Sequence, residues 1–490
     1  MKALRLPFAI ALAALALVVP AAASAAPGDV RVQVESRDTT LLGGGGGATA
    51  RASAQRSLTP CTWSYFGDPR SIAYRDWIFT GCISPDGRVK LDEYNLGTGQ
   101  KRLLTLFRGL ESDDHNNPSL VFFKKKLYAF ASEHSGYVYP LDRNPRMQYR
   151  VSKQNYGAGT AWGPTRRISL GSGCGLGYTY PNPVVSNGRL YLFMRGPCWY
   201  PYYTSTKDGK HWTSPKTMVL GPPAAGRNVR PYAKYVAAPD GSILMTFSDG
   251  HPGSYKNNLW YMRFKNGRFY KADGSTIGRS GDLPFRLQQL DKVQSYSRKK
   301  GRPWPMDIAF GSDGVPSIVY SSRVGDDDVF RYARFNGTKW VTRFISDAGG
   351  SLFGYRNGGI TFNHSDPNWV VLTRLIDGAQ EIELRHTSDQ GRTWQSWQLT
   401  RNSKVLNFRP VFPRGLTDPD QLVVVYVSGS ASSFRSYRTV IKMNIGQSPL
   451  APAPTPTPTP SPVPTPTPTP TPPPAPTPTP TPPGGGTPAP

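Results

Sequence analysis

The sequence predicts an all-β chain folded as a seven-bladed β-propeller, with a disordered N-terminal arm and a Pro/Thr-rich C-terminal tail. Three observations carry the prediction. The first is a repeated hairpin of apolar strand, turn centred on Gly or Lys, and second apolar strand. It reads RDWIFTGCISPDGRVKLDEYNL, NPSLVFFKKKLYAFASEHS, YPNPVVSNGRLYLFMRG, PYAKYVAAPDGSILMTFSDGHP, WPMDIAFGSDGVPSIVYSSR, GGITFNHSDPNWVVLTRL and RPVFPRGLTDPDQLVVVYVSG. The second is a regular outer strand, as in MQYRVS, NLWYMRFKNGRFY, VFRYARFNGTKW and SYRTVIKM. Units of about 50 residues with four strands are propeller blades, and seven of them close a ring without long exposed edges. The third is the Asp-box: Thr387 to Trp394 fits S/T-x-D-x-G-x-T-W in full, and Thr206 to Trp212 is a shortened form. Its Asp and Gly make a turn between outer strands and its Trp packs between blades. The box, with His211 inside it, therefore identifies the fold and not the activity.

The segments follow in order. Residues 1–25 read as a signal peptide: Lys2 and Arg5 precede the apolar run Leu6 to Val19, and Ala23-Ser24-Ala25 supplies a small-x-small cleavage signal. No later stretch reaches about 18 apolar residues, so a secreted chain with no transmembrane segment is expected. Residues 26–59 are Ala/Gly/Arg-rich and predict a flexible arm; residues 60–446 are the propeller. Residues 447–490 are almost pure Pro and Thr, which predicts an extended stalk and association with the cell wall through it. The four cysteines, Cys61, Cys82, Cys174 and Cys198, fit an oxidising compartment. Of their three pairings, the local one, Cys61 with Cys82 and Cys174 with Cys198, is preferred because each bridge staples one sheet unit. Zinc is the rival reading, but no C-x-x-C spacing supports it. The net charge of +26, from 58 Lys and Arg against 32 Asp and Glu, attracts polyanions. For an exported monomer an acidic polysaccharide is the expected partner, rather than nucleic acid.

Function is read at one end of the ring. The start of a hairpin's first strand and the end of its second lie together, so DDHNNPSLVFFKKKLYAFASEH brings His115 beside His134. The same register in the later blades offers Tyr180 with Arg195, then Arg230, Tyr232 and Tyr235 with Asp249 and His251. Blades five to seven add Arg302, Trp304 and Asp307 with Arg323, Arg356 with Arg374, and Arg409. Asp113, Asp114 and Asn116 stand beside His115, and Glu133 beside His134. Arg clamps carboxylates and aromatic rings stack on sugar faces. β-Elimination from a uronic acid needs such a set: a group to neutralise the carboxylate, a base for the C5 proton and an acid for O4. Arg195 fits the first role, His115 or His134 the second, and Tyr180 the third or a second base. No cofactor or metal is called for; Asp326 to Asp328 read as a solvated loop, with Ca²⁺ the rival.

The hairpins and Asp-boxes resemble secreted BNR-repeat, sialidase-like propeller proteins from Pro60 to Ile445. Within that group DDHNNP with SEH, followed by TYP and an Arg at the end of the next strand, is similar to the seven-bladed ulvan-lyase type of polysaccharide lyase. The resemblance implies a catalytic set at His115, His134, Tyr180 and Arg195, with a further Tyr at Tyr232 or Tyr235. From their places at the mouth, Asn116, Arg230, Tyr232, Tyr235, His251, Arg302, Trp304 and Arg356 are the candidates for substrate binding. Two alternatives share the fold. A sialidase-like glycoside hydrolase would use an Arg triad, a Tyr nucleophile and an Asp acid, but no FRIP-like motif or Tyr/Glu couple is found. A non-catalytic propeller binding acidic glycan at the cell surface would need the Arg and aromatic residues but not the histidines.

Overall fold

In the computed structural model, residues 54–450 are described, apart from 135–146, 156–160, 172–173, 175–176, 222–229, 254, 350–351, 353–356 and 419; residues 475, 477 and 479 are also described. Seven antiparallel sheets form the ring. Blade one consists of Ser71–Tyr74, Trp77–Ile83, Val89–Asn95 and Lys101–Phe107, and blade two of Ser119–Phe123, Lys126–Ala131, Met147–Val151 and Arg166–Ile168. Blade three runs from the inner pair Thr179–Ser186 and Arg189–Arg195 to Pro201–Thr206 and Lys216–Thr217. Blade four begins with Ala233–Ala237 and Ile243–Ser248 and is the most elaborate: its third strand, Leu259–Lys265, pairs with both Arg268–Tyr270 and Asp291–Gln294. The inner strands of blades five, six and seven are Arg302–Phe310, Ile360–Phe362 and Leu406–Val411.

The ring closes with a strand from the other end of the chain. Ala54–Pro60 pairs antiparallel with Tyr437–Gln447 and becomes the outermost strand of blade seven. Residues 54–59, expected to belong to the arm, are therefore part of the propeller. Blade one carries a second departure. RDWIFTGCISPDGRVKLDEYNL supplies its second and third strands, and the inner strand is Ser71–Tyr74, too short to stand out as an apolar run. The apolar residues that alternate along the strands pack between neighbouring sheets, so the core is divided among the blade interfaces.

Both Asp-boxes form the expected turn. Thr206 Oγ1 donates to Asp208 Oδ1 at 2.9 Å and accepts from Gly209 N at 2.9 Å; Thr387 does the same with Asp389 and Gly391 at 2.9 and 2.8 Å. Gly209 has φ 77° and lies so close to Tyr128 of blade two that a Cβ would clash with its hydroxyl. Trp212 packs edge-on against Phe130 and Tyr149 of that blade, and Trp394 against Tyr332 of blade five. The disulfides are Cys61–Cys82 and Cys174–Cys198. Among the described residues no helix is long and apolar enough to cross a membrane.

Candidate active site

The connection from blade one to blade two ends in a 3-10 turn, Asp114–Asn116, capped by Asp113. Asp113 is fully buried, and its carboxylate collects His115 N at 3.0 Å, His115 Nδ1 at 2.6 Å and His134 Nδ1 at 3.1 Å, with Arg435 Nε farther off at 3.5 Å. The two imidazoles are thereby stacked, with centroids 3.8 Å apart and planes 10° from parallel. The hairpin register brings them together; the aspartate fixes how they face. Burial alone would raise the Asp113 carboxyl, but the hydrogen bonds from His115 and His134 and the charge they carry when protonated hold it well below the usual carboxylate range. Burial, then the neighbouring His115, pushes His134 down to about 3 against the pull of Asp113, so near neutral pH its imidazole is uncharged. With Nδ1–H directed at Asp113, Nε2 of His134 is left as an acceptor. The hydroxyl of Tyr180 lies 3.1 Å from it and is the donor.

Tyr180 owes its aim to a bulge. The register of the inner pair of blade three shifts between Thr179 and Asn182, and Tyr180 adopts φ 55°, which turns its ring into the mouth of the channel. At the far end of the same pair, Arg195 places its guanidinium carbon 4.1 Å from the centre of the Tyr180 ring and 4.4 Å from that of Trp199. Its Nη2 reaches the His134 carbonyl at 3.4 Å, while buried Nε and Nη1 have no hydrogen-bond partner among the described residues. Among the described residues Arg195 is thus held mainly by stacking.

The remaining candidates divide. Arg230 stacks on Trp199 at 4.8 Å, and Tyr232, His251 and Trp304 form a contiguous aromatic wall, with Tyr232 5.4 Å from Trp304 and His251 5.1 Å from Trp304. Arg302 sits at its rim and donates to Gly253 O at 3.3 Å. Tyr235 is three positions beyond Tyr232, inside the strand, and packs parallel to Phe193 at 4.3 Å in the blade interface. Asn116 is fully buried and donates to Glu111 O at 3.0 Å and to Glu133 Oε2 at 2.7 Å, so its amide nitrogen braces the turn. Arg356 lies outside the described residues. Arg323 pairs with Asp328, Arg374 with Glu383, and Arg409 with Asp114 at 2.8 Å.

Several residues at this mouth escape a reading by hairpin register. Phe434 and Arg435 arrive on a blade-seven turn from across the ring seam. Phe434 meets His115 and His134 edge-on at 5.5 and 5.8 Å, and Arg435 pairs with Glu111 at 2.7 Å and approaches Asp113 at 3.5 Å. Phe66, just before blade one, lies 4.7 Å from Tyr232 and supports the aromatic wall from the channel. Trp199 follows the end of a strand in an irregular turn. Among the described residues, Asp113, His115 and His134 are the one group with donor atoms close enough together to share a metal ion, within 4.8 Å, although both Nδ1 atoms already face the carboxylate.

Fold and site together define a seven-bladed Asp-box propeller whose mouth carries a stacked histidine pair, a tyrosine and an arginine. The chain belongs to the BNR repeat-containing family, whose model matches residues 77–348. No curated protein matches the sequence. Among solved structures, a PL25 ulvan lyase bound to -[GlcA(1-4)Rha3S]- aligns with TM-score 0.62 and 15% identity, covering 80% of this chain and 95% of that one. A second PL25 ulvan lyase structure gives 0.60 and 16%, covering 81% and 95%. The polysaccharide lyase Uly1 gives 0.50 and 13%, covering 81% and 100%. At these identities the likeness is one of fold.

Proposed function

We propose that the protein is a polysaccharide lyase that cleaves uronate-containing chains by β-elimination. One observation carries the reading: the Tyr180 hydroxyl is hydrogen-bonded to a neutral His134 directly beside Arg195, whose Nε and Nη1 have no hydrogen-bond partner among the described residues. Arg195 pairs with the uronate carboxylate and stabilises the charge that develops as C5 loses its proton. Nε2 of His134 takes that proton, the C4–O4 bond breaks, and Tyr180 O–H protonates O4. The products are a C4=C5 unsaturated uronate and a chain ending in a free hydroxyl. His134 is then an imidazolium 3.1 Å from a tyrosinate, so one proton transfer restores both groups. Asp113 holds His134 in the tautomer this requires.

The carboxylates favour elimination over hydrolysis, which needs an acid and a nucleophile or base free to reach the sugar. Asp113 is engaged by both histidines, Asp114 by Arg409, Asp249 by Asn258 and Trp260, and Asp307 by His364. Glu133 is 2% exposed and bonded to Asn116 and Glu111 N.

The test is to offer ulvan, glucuronan and pectin fragments and to follow the ultraviolet absorbance of the unsaturated uronate. Elimination is expected on at least one of them. His134→Ala and Tyr180→Phe should each cost about 10² to 10⁴ in kcat, and Arg195→Ala about 10³ in kcat/KM. Reducing ends released without that absorbance would mean hydrolysis. Binding without cleavage would mean a glycan-binding propeller.

A further inference from the structure

We propose that Trp199 is a positioning residue for Arg195, and that the Cys174–Cys198 disulfide holds Trp199 in place. The functional consequence rests on the lyase reading above; the positioning itself does not.

Arg195 ends its strand with a single long hydrogen bond and no carboxylate within ion-pair distance among the described residues. What fixes the guanidinium is aromatic: Tyr180 at 4.1 Å and Trp199 at 4.4 Å, with Tyr232 farther off at 5.8 Å. Tyr180 is committed to His134, and its place is set by its own strand. Trp199 has no strand to set it, because it lies in the turn Pro197–Trp199.

The backbone of that turn is unusual. Cys198 has φ 57° and Trp199 φ 66°, two successive residues with side chains in the left-handed region, where neither type rests without restraint. Gly196 N donates to Tyr200 O at 2.8 Å and Trp199 N to Gly196 O at 3.1 Å, which closes the turn. Gly196 packs against Tyr178 and Tyr202 so closely that a Cβ would overlap both rings, at 2.7 and 2.5 Å. Cys198, the residue immediately before Trp199, is bonded to Cys174 with a Cα separation of 5.2 Å. A covalent tie, a buried glycine and a closed turn thus converge on one side chain. The face of Trp199 presented to Arg195 is the product of all three. Arg230 stacks on the same indole, so one ring organises two of the site's cations.

The position of the guanidinium can be read without any substrate. In a crystal structure of Trp199→Ala it should leave the Tyr180 ring, and in Trp199→Phe it should stay. If it remains stacked on Tyr180 in the alanine variant, the proposal is overturned. Should the alanine variant fail to fold, Trp199→Leu takes its place with the same two outcomes. In turnover, Trp199→Ala should lower kcat/KM about 10²-fold at an unchanged melting temperature, with Trp199→Phe restoring most of it. The paired change Cys174→Ser with Cys198→Ser should give the same kinetic loss, and an unaltered kcat/KM in that variant would remove the disulfide from the proposal. If the wild type eliminates no uronate, the lyase reading fails while the guanidinium position still decides the role of Trp199.

Discussion

Asp113 sets the protonation pattern on which the histidine pair depends. As an ionised acceptor of both Nδ1–H groups it forces Nε2 of His134 to be the basic nitrogen. Asn at this position would offer a donor on one side and upset one tautomer. Asp113→Asn is therefore expected to lower kcat on the order of 10³-fold while KM changes little. The pH profile follows from His134. Its folded-state pKa, about 3, lies below the 6.5 of the free side chain, so the neutral base is present well into the acid range. The acid limb of kcat/KM should lie far below the usual histidine value, and a limb near 6.5 would contradict the assignment. The linkage has the same sign: the stability contributed by neutral His134 is full above about 6.5 and declines as pH falls towards 3. Much of this site was legible in sequence because His115, His134, Tyr180 and Arg195 stand at matching hairpin ends. Asp113 was visible as a neighbour but not as a clamp, since nothing in its spacing says that one carboxylate serves two rings. Tyr232 and Tyr235 could not be told apart until the start of the strand was known.

At the scale of elements, inner-strand bulges do the aiming. The register shifts at Thr179/Asn182, Pro305/Asp307 and Phe408/Val411 all lie on inner strands, and Tyr180 and Arg409 sit within two of them at φ 55° and 54°. A strict two-residue alternation would send these side chains elsewhere, which is why period alone reads the blade but not its bulges. The closing strand escaped for a different reason. AQRSLTP has little apolar pattern and gains its place only by pairing with Tyr437–Gln447 at the far end of the chain. That pairing makes a prediction. Removing residues 54–60 uncovers a long edge strand in blade seven, and an open edge both weakens the ring and invites association. The truncated protein should melt about 10 °C lower and elute as oligomers at high concentration. Monomeric elution with an unchanged melting temperature would show that the strand is dispensable.

For the whole molecule, a net charge of +26 and a mouth with Arg195, Arg230, Arg302 and Arg435 bear on binding before any chemistry begins. A polyanion is drawn in over a distance set by the ionic strength, about 10 Å at 0.1 M salt. An oligosaccharide that fills only the mouth gains less from that field than a polymer lying across the basic surface. Capture and chemistry should therefore respond to salt differently. With a polymeric uronate substrate, KM is expected to rise steeply, on the order of tenfold between low and high salt. The value of kcat should hold, because Arg195, Tyr180 and His134 are shielded by the protein around them. With a short oligosaccharide the rise in KM should be smaller. Steady-state kinetics of both substrates across a salt series would test this. If kcat fell in parallel with the rise in KM, the charge would be acting on Arg195, Tyr180 and His134 themselves and the separation between the basic surface and the buried mouth would be wrong.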